Sequence, residues 1–186
     1  MYYYSIYYYI IVCLFVNRKM NSTMKFNDNN SYIAHVGNYG PTISFIYAIL
    51  FLMVSRPYKD FGNIFLYYYV AGSAVSYAVN RVLKALLKSP RPDGHPNSDT
   101  SYGMPSGHAQ AVSFTVMFLS YTHQLIDHSC SLFRPFLYIF FMAITVWQRV
   151  HYRHHTISQV AAGCVMGVVM AWIIIGILNK GGTLSL

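Results

Sequence analysis

Three short stretches of this chain carry residue types suited to phosphate chemistry. They are Lys84 with Arg91-Pro92, then Pro105-Ser106-Gly107-His108, then Arg149 with His155. Each sits at the end of a long apolar run. Arg offers a planar fork to phosphate oxygens and Lys a compact charge. Ser106 stands where a helix N-cap belongs, before a long apolar helix, and Gly107 lets backbone approach a ligand closely. A helix start there favours an anion. His108 in the first turn can reach the same anion. His155 and Gln159 are four apart, so on a helix they face each other. Gln159 can then hold one ring nitrogen of His155 and leave the other free to attack.

Each feature also has a plainer meaning. Lys84, Lys88 and Arg91 can simply reach out to a membrane interface. Ser106 can be an ordinary cap beside an incidental histidine. His151 and His155 have the spacing of a metal pair, with Asp93, His95 and Asp99 as further candidate ligands. No acidic residue accompanies that helical pair, so a metal is not expected. What favours a single phosphate site is the set: three cations, a Ser-Gly turn and two histidines at one end of the apolar segments.

The elements that must position this set are membrane helices. Of the 186 residues, 55% are hydrophobic and 10% charged, too little charge for an ordinary soluble globule. Apolar runs cover 40–54, 61–87, 106–126, 135–148 and 160–178, several near the roughly 20 residues a spanning helix needs. A sixth run, 2–16, reads as an anchor rather than a cleaved signal, and 17–38 as a polar loop. The expected division is an N-terminal segment over 1–39, a membrane-embedded domain over 40–180 and a tail over 181–186. Pro90 and Pro92 stop the second helix and leave Arg91 in a stiff loop. The chain then crosses, turns near 127–133 and crosses back, which returns Arg149 and His155 to the face of Ser106.

The net charge of +8 and the lack of glutamate fit anionic lipid head groups and a phosphate substrate better than nucleic acid, because many cations flank apolar runs. Cys13, Cys130 and Cys164 show neither a disulfide framework nor metal spacing.

The three stretches resemble the signature of type 2 phosphatidic acid phosphatases, a superfamily that includes vanadium haloperoxidases: K-x6-R-P, then P-S-G-H, then S-R-x5-H-x3-D. The match runs from about Lys84 to Gln159. It implies an all-α, polytopic membrane helical bundle of five or six transmembrane helices. It implies phosphate binding by Lys84, Arg91, Ser106, Gly107 and Arg149, with His155 as nucleophile and His108 as the acid that protonates the leaving oxygen. It implies no cofactor and no metal. Two positions depart from the signature: Gln148 replaces Ser and Gln159 replaces Asp. Gln can orient His155 but cannot add negative charge beside it. His155-Thr-Ile-Ser-Gln159, Tyr102-Gly-Met-Pro105 and Ala109-Gln110 are similar to dolichyl diphosphate phosphatases, although that branch usually has Ser where Gly107 stands. On this reading an Asp at 159 is tolerated with an altered pH dependence.

The resemblance implies a multi-pass phosphatase of an internal membrane such as the endoplasmic reticulum. A polyprenyl (dolichyl-type) diphosphate is its favoured substrate and membrane lipids its surroundings. Phosphatidic acid or another phospholipid monoester is the alternative substrate. A non-catalytic lipid-binding protein on the same fold is the alternative of another class. A transporter would need polar residues spread through the mid-membrane helices, and 160–178 offers almost none.

Overall fold

The computed structural model describes residues 32–55, 63–92, 102–126 and 133–180. These form five helices: α1 (Tyr32–Ser55), α2 (Ile64–Leu87), α3 (Gly107–Ile126), α4 (Phe133–His151) and α5 (Ile157–Lys180). The described part is all-helical. The expected anchor over 2–16, the ligand candidates Asp93, His95 and Asp99, and the tail lie outside the described residues.

The helix in the middle is α3. It packs most extensively on α5 and also touches α1, α2 and α4. Its length is buried almost continuously, with Val112, Phe114, Val116, Met117, Phe118 and Leu119 all in the core. The close fit of α5 depends on two glycines. A Cβ on Gly163 would sit 2.5 Å from the Ser106 carbonyl oxygen, and one on Gly167 would collide with the Gln110 carbonyl. Small residues let helix backbones approach, which is how apolar helices associate in lipid. The outward faces are apolar as well: Tyr67, Val70, Val75 and Val82 on α2, and Val165, Val169, Ile173 and Ile177 on α5, are exposed.

Among the described residues two segments are long and apolar enough to cross a membrane, Gly37–Val54 within α1 and Ile157–Lys180, and Phe136–His151 is a shorter apolar helix. The polar groups inside the bundle explain why α2 and α3 are less apolar than spanning helices usually are. The Tyr69 and Thr115 hydroxyls bond at 2.8 Å, and Thr115 in turn donates to the Ala111 carbonyl. Gln110 on α3 donates to the Ser76 carbonyl and hydroxyl on α2. Buried polar groups are tolerated when they are satisfied in this way.

One expectation is corrected. The loop expected over 17–38 ends sooner, because α1 begins at Tyr32. Asparagine and glycine at 37–40 weakened the helical signal, but packing overrides it: Gly37 is buried against Gln148 on α4. The remaining helices begin and end within three residues of the expected runs.

Candidate active site

The ends of all five helices that meet at one pole of the bundle build the site. α2 delivers Lys84 in its last turn and then stops, its cap Lys88 turning left-handed at φ 45° and donating to the Lys84 carbonyl. Ser89 to Pro92 follow without regular structure. The loop is anchored by a 2.7 Å bond from the Gly103 N–H to the Ser89 carbonyl. α3 starts at Gly107, with the Ser106 carbonyl accepting the first helical bond from the Gln110 N–H. α4 delivers Arg149. The turn after it, with Arg153 at φ 53°, brings the His155 N–H back onto the Arg149 carbonyl at 3.1 Å.

Lys84, Arg91, Gly107, His108, Arg149 and His155 line one cavity of about 430 Å³. The two remaining candidates stand behind this wall. Ser106 is fully buried, and its hydroxyl has no hydrogen-bond partner among the described residues. It therefore occupies the cap position without its side chain capping the helix. Arg149 is likewise buried, with Nε unpartnered among the described residues while one terminal nitrogen donates to Asn38 Oδ1 at 2.9 Å. Unused donors held at a cationic cavity are what an oxyanion site requires.

Gln159 is the other residue behind the wall, and the three stretches converge on it. Its Oε1 accepts from the Thr156 N–H at 3.1 Å and lies 3.3 Å from His155 Nδ1. Its Nε2 donates to the Pro90 carbonyl at 2.6 Å and to the Ser89 hydroxyl at 3.1 Å. Its own carbonyl accepts the Ser106 N–H at 2.9 Å. These partners assign the amide, because the reversed orientation would set oxygen against oxygen at Pro90. An amide oxygen only accepts, so Nδ1 of His155 carries the hydrogen and Nε2 keeps the lone pair.

The surroundings keep that imidazole neutral. Burial first, then the charges of Arg91 and Lys84, push the His155 pKa down to about 3, against the hydrogen bond to Gln159 and with a smaller contribution from Arg149. Burial also lowers the pKa of Arg91. A histidine-selective ¹⁵N NMR titration is expected to show His155 uncharged at pH 5, where a free imidazole is mostly protonated. A midpoint near 6.5 would show that burial and the neighbouring cations do not act on this imidazole. The unfolded chain takes up this proton near its ordinary value of about 6.5. This one site therefore makes folding less favourable as pH falls from there toward about 3.

His108 Nε2 lies 3.2 Å from the Asn38 carbonyl. A carbonyl only accepts, so Nε2 carries the hydrogen and donates it to Asn38, the bond a leaving oxygen would replace. Asn38 thus touches both His108 and Arg149, and it escaped the sequence reading because it fell in the expected loop. Asn80 was also missed. It lies one turn before Lys84, is buried, and donates to Gln110 Oε1 at 2.7 Å and to the Pro105 carbonyl at 3.3 Å. It ties the helix of Lys84 to the Ser106-Gly107 turn. The only available signal was its position, a polar residue four before Lys84 in an apolar helix. His151, half of the weighed metal pair, stacks on Trp147 with ring centroids 4.3 Å apart.

Residues 65–182 match the PAP2 superfamily. The chain belongs to that superfamily. It is 38% identical over 100 residues to lipid phosphate phosphatase epsilon 1, chloroplastic, of Arabidopsis thaliana, a match covering 53% of this chain and 35% of the relative. It is 32% identical over 115 residues to dolichyldiphosphatase 1 of Homo sapiens, covering 55% and 48%, and 33% identical over 115 residues to that of Dictyostelium discoideum, covering 58% and 50%. The matches span a third to a half of the length of these relatives. The fold is similar to that of the transmembrane PAP2-type phosphatidylglycerolphosphate phosphatase from Bacillus subtilis, with a TM-score of 0.54, 15% identity and coverage of 97% of this chain and 98% of that one.

Proposed function

We propose that this protein is a multi-pass membrane lipid phosphatase that removes the terminal phosphate of a polyprenyl diphosphate through a phosphohistidine. The observation that carries this reading is the single cavity in which three cations and two histidines of complementary tautomer face one space. His155 Nε2 attacks the terminal phosphorus. The bond from phosphorus to the bridging oxygen breaks, and its electron pair leaves with the lipid monophosphate. Lys84, Arg91 and Arg149 hold the equatorial oxygens, with the Gly107 backbone as a further donor and the unpartnered Ser106 hydroxyl just behind it. His108 hydrogen-bonds the departing oxygen through its Nε2–H and stays neutral. Water then attacks the phosphorus of the phosphohistidine, the bond to His155 Nε2 breaks with its electron pair returning to that nitrogen, and inorganic phosphate leaves with the proton of the water.

The cavity supports a lipid as substrate. From the cations it runs along α2 and α3 to Ser73, Phe45, Phe114 and Thr115. α1 and α2, which form its two flanks, make few contacts with each other. A tail lying in the membrane can therefore reach the cations sideways. A diphosphate suits His108 best. Its leaving group is a phosphate monoester, far less basic than an alkoxide, so a hydrogen bond from a neutral imidazole is enough. The dolichyldiphosphatase names among the relatives point the same way. The lipid phosphate phosphatase names keep phosphatidic acid as the second reading.

The test is phosphate release by the purified protein in detergent, with EDTA present, from dolichyl diphosphate, phosphatidic acid and a water-soluble phosphate ester. Faster release from the prenyl diphosphate is expected. Release from phosphatidic acid alone would move the assignment to the monoester branch. No release from any of them by a folded protein would favour a lipid-binding role.

A further inference from the structure

We infer that Arg81 forms a second phosphate subsite, which holds the inner, lipid-attached phosphate of a diphosphate and makes the enzyme discriminate diphosphates from monophosphates. The inference rests on the reading above and adds a residue outside the three stretches.

Arg81 lies three residues before Lys84 on α2, so the two share a face one turn apart. The lining of the cavity along α2 is Ser73, Ser76, Tyr77, Asn80, Arg81 and Lys84. That is one continuous helical stripe, which at 1.5 Å per residue descends about 16 Å from Lys84. Lys84 is at the phosphate pole and Ser73 is at the end with Phe45 and Phe114. Arg81 is the first step down that stripe, on the side toward the tail. A diphosphate bound with its outer phosphorus at His155 must place its inner phosphate between the clamp and the tail. A long Arg side chain one turn below Lys84 is within reach of that position, and a guanidinium fork is the best fit to two phosphate oxygens.

Charge supports the assignment. Lys84, Arg91 and Arg149 already offset a phosphate monoester, which carries about two negative charges. Arg81 adds a fourth cation to the same cavity, and an inner phosphate adds a further negative charge. Arg81 makes no hydrogen bond or ion pair among the described residues, none of which is acidic. Arg81 is exposed, and it also lines the cavity. The same position lets it stabilise the leaving group, because the inner phosphate departs with the lipid and gains charge as the bond breaks.

The experiment compares farnesyl diphosphate with farnesyl monophosphate, which share one tail, in wild type, Arg81→Met and Arg81→Lys. The ratio of kcat/KM for diphosphate over monophosphate is expected to fall by about 30-fold or more in Arg81→Met, as for loss of a charge-assisted bond, and to recover in part in Arg81→Lys. An unchanged ratio, whether both substrates lose equally or neither loses, overturns the subsite while leaving the phosphatase reading intact. Binding decides the matter without turnover. Inorganic pyrophosphate should raise the thermal stability of the wild type more than inorganic phosphate does, and Arg81→Met should abolish that advantage. Equal stabilisation by the two anions in the wild type would overturn the subsite even if no lipid were hydrolysed.

Discussion

His155→Ala is expected to lower phosphate release at least about 10³-fold, the scale seen when a covalent nucleophile is removed. The protein should remain folded and still bind inorganic phosphate. The buried imidazole contributes one partner to Gln159, whose other bonds to Thr156, Ser89 and Pro90 hold the turn together without it. Lys84, Arg91 and Arg149 are untouched, so the anion site survives. The intermediate gives an independent readout. Phosphohistidine is labile in acid and stable in alkali, so alkaline denaturation during turnover should leave labelled phosphate on the wild type and none on the variant. Undiminished release by His155→Ala would assign the nucleophile elsewhere. Release that vanishes together with phosphate binding would mean that His155 serves the fold of the site instead.

Gln159→Asp is expected to lower kcat/KM about 10- to 100-fold, from the roughly 1–3 kcal/mol lost when a buried acceptor is left without its donor. The superfamily signature carries Asp at this position, and the residue types alone allow the exchange. The structure argues against it here. The amide nitrogen donates to the Pro90 carbonyl at 2.6 Å, and a carboxylate would set a second acceptor against it. Asp is also one methylene shorter, so it cannot span from the Thr156 N–H to Pro90. Gln159 therefore does two things: its oxygen fixes the His155 tautomer, and its nitrogen ties that turn to the loop of Arg91. Gln159→Glu separates the two, since it keeps the length and the acceptor and loses the donor. In that variant the His155 pKa should rise, because a nearby carboxylate favours imidazolium, while KM should increase as the Arg91 loop loosens. Full activity in Gln159→Asp would show that the bonds to Ser89 and Pro90 are dispensable.

Most of the architecture was legible in the residues because membrane helices are written in composition. A run of apolar residues of sufficient length must form a helix to satisfy its backbone, whatever its neighbours do. Proline at 90 and 92 ends such a run by removing donors. The three motifs were legible for a related reason: cations and histidines at the ends of apolar runs are costly unless they are used. These are local properties, set by residue type and by distance along the chain.

What only the tertiary structure decided is which residues meet. Asn38 belonged by composition to a polar loop, and it reaches Arg149 and His108 because α1 packs on α4 through Gly37 and Gly40. Asn80 and Gln110 are thirty residues apart and became a pair through the crossing of α2 and α3. Arg81 was one more basic residue near a helix end until the cavity ran past it. Gln159 was legible as a partner of His155, four residues away on one helix. Its second set of partners, Ser89 and Pro90, lies about seventy positions earlier in the chain. Periodicity carries information over a few turns of one helix, whereas contacts between helices depend on packing angles and on where glycines permit close approach.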